Sequence, residues 1–155
     1  NPVKAAVMGK EMSLVADVLG EVETVTLKVW DVTTGKLENK VELCIDYNKR
    51  IELGWIYDWD GYYLEQKPRV VFEIEAPGCA PVKSREIEIS MIFKRQVRDP
   101  YGEVAVNHPY ELMLMNGKKI AGKTDKNGMI IIKNLVPGEV QLSIDDFPRI
   151  IGISM

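Results

Sequence analysis

Hydrophobic and polar positions alternate with a period of two along most of this chain. A period of two is that of a strand with one buried face. The clearest run places Ile87, Ile89, Met91 and Phe93 on one face and polar residues on the other. No window of useful length carries a helical stripe, so the pattern predicts an all-β chain. In the first part of the chain the alternating runs lie at 25–29, 41–45, 51–55, 70–76 and 85–93.

Turn-rich residues divide these runs into two sets. The stretch from Arg98 to Gly102 ends the first set, and we place a domain boundary there, between 1–97 and 98–155. Short strands joined by turns favour a sandwich or a barrel. The second set needs only about 45 residues, near the lower limit for independent folding. We therefore expect the second unit to pack on the first.

Three turns are predicted to connect the strands of the second unit. Asn116-Gly117 is a strong hairpin signal, because both residues tolerate the positive φ of a type I′ turn. Asp125 can accept from a backbone amide two residues on, and Gly128 can supply a positive φ. A turn also fits Pro137-Gly138, with proline at its first central position. We assign structural roles to all six residues and catalytic roles to none.

These turn residues carry a resemblance to a known family. The string GKTDKNGMIIIKNLVPGEVQLSI resembles small transthyretin-like, or carboxypeptidase-regulatory-like, β-domains. It is similar to the short version at the C-terminus of spike proteins from type VI secretion systems and related phage-tail-like machines. PYELMLMNGKKIAG matches the preceding hairpin. The matching positions are Gly122, Thr124, Asp125, Gly128, Pro137 and Gly138.

The first unit agrees with this resemblance. VTLKVWDVTTGK, RVVFEIEAP and REIEISMIF resemble the Ig-like sandwich that precedes such tails. The resemblance thus implies an Ig-like β-sandwich over 1–97, then a short transthyretin-like β-domain over 98–155. The chain lacks the valine–glycine and needle-like repeats of a complete spike, so an adaptor portion is implied. Its partners would be spike subunits or an effector, with cytoplasmic assembly in a bacterium or phage host and export on the contractile machine.

Composition points the same way. The 155 residues include 23 acids, 20 bases and one histidine, for a net charge of -3. This balance gives no basic footprint for nucleic acid, and one histidine excludes His-rich zinc sites. No apolar run approaches the roughly 18 residues of a membrane span, and the opening lacks a signal-peptide core. We expect no catalysis, metal, cofactor or membrane insertion, and, since the chain begins at Asn1, a fragment or processed product.

Several side chains have an ordinary structural interpretation. His108, beside Pro109 in the linker, is expected to be a loop residue rather than a catalyst. The acids of 58–60 and 145–146 belong to no calcium ladder with a distal Glu, so we interpret them as turn and solubility residues. An Ig-type disulfide between Cys44 and Cys79 is not expected, because Cys79 lies in the turn APGCAP; free thiols are predicted.

An aromatic strip within WIYDWDGYY is the most informative feature for binding. Aromatic platforms stack on sugars and on partner proteins, so a carbohydrate-binding or adhesin-like module is the alternative function. In the other interpretation the first two residues fill the core and the rest brace the turn around Gly61. We favour the core interpretation and keep all five as the candidate site. The strip consists of Trp55, Tyr57, Trp59, Tyr62 and Tyr63.

A last alternative is an intramolecular Lys–Asn bond, as in some transthyretin-like surface domains. Lysines, asparagines and acids are all present. The sequence does not fix which of them come together.

Overall fold

The computed structural model describes residues 4–45, 49–58, 61 and 63–148. These residues form twelve strands and no helix, so the chain is all-β, as the period-two pattern predicts. The finer Ig-like and transthyretin-like assignments stay predictions. In chain order the strands are β1 (Lys4–Val7), β2 (Met12–Asp17), β3 (Thr24–Asp31), β4 (Leu37–Cys44), β5 (Arg50–Trp55), β6 (Arg69–Glu75), β7 (Val82–Lys83), β8 (Ile87–Gln96), β9 (Pro109–Leu114), β10 (Lys119–Lys123), β11 (Met129–Leu135) and β12 (Val140–Ile144).

Two sheets face each other in the first half of the chain. In the larger sheet β3 lies between β4 and β6, β6 pairs with β8, and β1 adds to β8 in parallel. The smaller sheet contains only β2 and β5, paired antiparallel. Leu14 and Leu53 of the smaller sheet pack against Leu27, Phe72 and Ile89 of the larger one. This contact is the first core.

The second half of the chain builds a smaller sheet over the same large one. β9 lies between β10 and β12, both antiparallel to it. Its fully buried Leu112 packs against Met91 of β8 and Leu135 of β11. β11 lies between β10 and β12 in the sequence but does not join their sheet. It pairs antiparallel with β8. One strand from the second half therefore completes the sheet of the first half.

Strand β8 belongs to both cores. Ile89 N–H donates to Pro68 O next to β6, and Val97 N–H donates to Gly128 O next to β11. Residues an even number apart in a regular strand turn their N–H groups to the same edge. β6 and β11 therefore lie end to end along one edge of β8. On its inner face Ile89 enters the first core, while Met91 and Phe93 reach the second.

The hairpin between β9 and β10 differs from the predicted type I′ turn. Gly117 has a φ of 85°, but Asn116 is not in the left-handed region. Gly117 N–H donates to Leu114 O, and Leu114 N–H donates to Lys118 O. This is a three-residue loop that ends on a left-handed glycine. Asn116 contributes its side chain, which accepts from Lys118 N–H at 2.9 Å.

The turn before β11 is fixed by Asp125. Its Oδ1 accepts from Asn127 N–H and from Met129 N–H, both at 2.8 Å. Gly128 has a φ of 71°, and a Cβ there would lie 2.8 Å from Val97 O. Both the backbone angle and the close contact exclude a side chain. Gly128 thus lets the turn press against the end of β8.

The turn between β11 and β12 contains Pro137 and Gly138, and its proline side chain is buried. Pro137 is among the fully buried side chains. Gly138 does not adopt a positive φ, so this turn does not use the left-handed freedom of glycine.

Because β8 serves both cores, damage in the second core should destabilise the first. We expect Leu112→Ala to lower the free energy of unfolding by about 2–5 kcal/mol in a single transition. All three tryptophans lie in the first half, so tryptophan fluorescence in urea reports only on that half. Ile131→Ala, which truncates an exposed side chain, is the control and should change stability by less than about 0.5 kcal/mol. A Leu112→Ala fluorescence transition identical to wild type would contradict the coupling.

Candidate functional site

The described members of the aromatic strip divide between core and surface. Trp55 stacks edge-on against Phe72 at 5.1 Å and against Tyr57 at 6.0 Å. Trp55 and Tyr57 both pack on the first core, whereas Tyr63 is 59% exposed. The remaining two, Trp59 and Tyr62, lie outside the described residues. The strip stays a predicted binding site, and its first two residues have a packing role.

His108 is held by the segment that follows β12. Its Nε2 lies 2.6 Å from Asp145 O, and since a carbonyl only accepts, Nε2 carries the hydrogen. Its ring stacks on Phe147 with centroids 4.1 Å apart. The His108 backbone N–H donates to Thr124 Oγ1 at 2.9 Å, and this hydroxyl donates to Ala105 O. His108 and the buried Thr124 thereby fix the 98–108 loop to the rest of the second unit.

The cysteines and acids come together in no site within the described ranges. Cys44 and Cys79 are both exposed and unpaired, as predicted. Asp60 lies outside the described residues. Over the part of the chain that is described, no three His, Cys, Asp or Glu side chains lie close enough to hold a metal ion.

A charged network covers the outer face of β3 and β6. Glu73 is buried and accepts from Trp30 Nε1 at 3.3 Å, while Lys83 Nζ lies 3.7 Å away. Beside it, Lys28 Nζ donates to Glu75 Oε1 at 3.0 Å. This hydrogen bond from Lys28 holds the pKa of Glu75 below its ordinary value. The stabilisation from this hydrogen bond is therefore fully present above the ordinary carboxyl pKa. It is lost as the pH falls through the lowered pKa of Glu75.

A polar cleft of about 780 Å³ lies where β6 begins and β11 ends. Lys67 Nζ donates to Asn134 Oδ1 at 2.6 Å and lies 3.8 Å from Glu88 Oε1. Arg69 holds the other oxygen of Glu88 at 3.3 Å. Asn134 has a φ of 64° and lies in a bulge of β11, which turns its side chain out of the ladder. The bulge thus provides a polar contact between the two halves of the chain.

The edge of β2 that faces away from β5 is open and carries one charge, Asp17, at its end. β2 pairs with β5 alone, so its other edge meets no described strand. That edge carries Ser13, Val15 and Asp17, all exposed. The alternating residues at 12–17 are the sequence signal for this strand, which is not among the runs predicted above.

An apolar cavity of about 160 Å³ lies under this sheet. Its walls come from β2 and β5 on one side and from the large sheet on the other. Val82, at its rim, is 68% exposed. The lining includes Leu14, Ala16, Leu53, Phe72, Ile74 and Val82.

Neither protein-family models nor curated proteins give a match to this chain. Among the described residues no helix is long and apolar enough to cross a membrane.

The packing of the aromatic strip yields a stability prediction. Trp55→Ala should lower the free energy of unfolding by about 3 kcal/mol, because it removes the ring that packs on Phe72. Tyr63→Ala should change it by less than about 0.5 kcal/mol, since Tyr63 is largely exposed. Urea denaturation followed by circular dichroism measures both. Equal losses for the two variants would show that Tyr63 also has a packing role.

The cleft identifies a Lys–Asn pair that mass spectrometry can test. We expect Lys67 and Asn134 to remain hydrogen-bonded and not covalently linked, because the pair lies in an open polar cleft where Lys67 also reaches the Glu88 carboxylate. The intact mass should then equal the sequence mass. A mass lower by one ammonia, restored in Asn134→Ala, would show instead that the two side chains form an amide.

Proposed function

We propose that this chain is a non-catalytic structural or adaptor region of a contractile-injection spike protein. It would belong to a type VI secretion or phage-tail-like machine and attach an effector or tip component to the spike. The observation that carries the proposal is that β8 pairs with strands from both halves of the chain. An adaptor binds one partner at each end and must hold the two partners in a fixed relative position. A strand that is paired with both halves of the chain would provide this rigid link.

The shared strand suits a part that carries load. β8 is held by β1 and β6 near its start and by β11 over residues 91–96. A pull between the two halves acts along this ladder of backbone hydrogen bonds. The Lys67–Asn134 contact adds a side-chain link at the place where β6 begins and β11 ends.

Attachment through strand edges is the mode that this architecture offers. Backbone N–H and C=O groups at an open edge can pair with a strand from another protein. Charged residues discourage such pairing, and they occur on β4 (Lys40, Glu42) and on β10 (Lys119, Lys123). β2 and β12 carry no charged residue apart from Asp17 at the end of β2. The proposal places the protein in the cytoplasm during assembly, before export on the machine.

Affinity capture tests the proposal directly. The immobilised chain should retain purified spike trimer or effector from a candidate contractile system in 150 mM salt, and Leu112→Ala should retain less in proportion to its unfolded fraction. A glycan array probed with the same protein is the parallel arm for the carbohydrate-binding alternative. Saturable glycan binding without capture of any spike or effector protein would overturn the adaptor proposal.

A further inference from the structure

We infer that the open edge of β2 accepts an extended segment of a partner protein, which adds as a third strand to the two-stranded sheet. The segment would place one large apolar side chain in the 160 Å³ cavity. This inference rests on the proposed adaptor function and names the surface and the chemistry of attachment.

The hydrogen-bond pattern shows which backbone groups are available. Val18 N–H donates to Lys49 O at 2.7 Å, in the same register as the rest of β2 and β5. Even-numbered residues of β2 therefore turn their N–H and C=O toward β5. Ser13, Val15 and Asp17 turn theirs toward the open edge. No described residue pairs with these groups, so an added strand would find both donors and acceptors.

The far edge of β5 is a poorer acceptor. Its outward groups come from residues 50, 52 and 54, and Arg50 and Glu52 form an exposed ion pair at 3.1 Å. Charges on an edge strand discourage pairing. The β2 edge carries a single charge, Asp17, at its end.

The cavity sets the size of the inserted side chain. An apolar cavity of about 150 Å³ can hold a benzene molecule, and this one has about 160 Å³. It therefore has room for one phenylalanine or leucine side chain. Leu14 and Ala16 line it from β2, and Val82 lines it from the opposite rim. A strand beside β2 would face this opening with every second residue.

A second copy of this chain fits the edge less well than a separate segment. If β2 paired with β2 of another copy, the inward side chains offered would be Met12, Leu14 and Ala16. Met12 and Leu14 already pack on their own core. They could not also enter the neighbouring cavity. An extended segment with a free apolar side chain fills both the edge and the cavity.

Charge gives the segment a direction. Asp17 ends β2, and Glu21 and Glu23 follow it, all three exposed and without an ion pair in the described chain. The nearby Lys49 binds the Gly20 carbonyl instead. A partner segment with Lys or Arg at its N-terminal end, added antiparallel, would place these cations beside the three acids. The expected occupant is therefore an apolar, alternating segment preceded by basic residues.

A labelled peptide tests this inference with the full chain. The probe is fluorescein-KKTVTFTVTG, in which the two valines and the phenylalanine share one face, and fluorescence anisotropy measures its binding. We expect saturable binding that weakens at least tenfold, about 1.4 kcal/mol, when the phenylalanine becomes alanine. EETVTFTVTG should also bind more weakly, and its loss should shrink at high salt.

Two matched proline variants test the edge. Val15 and Glu52 lie opposite each other in the register, and each turns its N–H to an open edge, where proline is tolerated. Val15→Pro should weaken peptide binding at least about tenfold, while Glu52→Pro should leave it within about twofold. Circular dichroism checks that both fold. Ala16→Leu, which narrows the cavity, is a second variant expected to weaken the phenylalanine peptide.

Other outcomes separate the alternatives. Absence of peptide binding to the wild type, or equal binding by Val15→Pro and wild type, would overturn the strand-addition site. A wild-type dimer in sedimentation that Val15→Pro dissociates would assign the edge to a second copy instead. If Val15→Pro still captures a spike or effector protein as the wild type does, the adaptor function stands and this surface is wrong. If neither captures one, the adaptor function itself fails.

Discussion

The structure depends on the pairing of one strand, β8, with partners from both halves of the chain. Its odd-numbered side chains pass from one core into the next without a break, with Ile89 in the first core and Met91 in the second. Met8, which follows β1, packs against both cores. A strand cannot shift its register by one residue without turning every inward side chain outward. The register of β8 therefore fixes the positions of both cores together.

The turns of the second half serve this shared strand. Gly128 can press against Val97 because it has no side chain and adopts a positive φ. Asp125 closes the same turn, and Thr124 connects the loop after β8 through Ala105 and His108. Residues that resemble a family motif thus have direct physical tasks here. They deliver β11 to β8 in the register that brings Met129 opposite Gln96.

The sequence pattern predicted most of the strands but not how they meet. Alternation is a local property, and it located β3, β5, β6, β8 and the last residues of β4, while the three predicted turns separated the four strands of the second half. β1 was missed because its two alanines lack strand propensity, and β2 because its alternating side chains are few. The destination of β11 could not be read from the chain, because an alternating run does not show which strand it joins. The aromatic strip is visible in the sequence. Its contact with Phe72 is not, because that contact depends on how two separate strands pack together.

The open edge and the cavity have one physical origin. Over the first core the described strands that cover the large sheet are β2 and β5, and this narrow cover leaves both unpaired backbone groups and an apolar cavity. Each would be unfavourable in a chain that acts alone, since open edges promote association and a cavity lacks packing contacts. The edge strands β4, β5 and β10 carry lysine, arginine or glutamate, whereas β2 carries a single acid at its end. A single added strand would satisfy both deficits at once, because its backbone would pair with β2 while its side chains filled the space above Phe72 and Ile74.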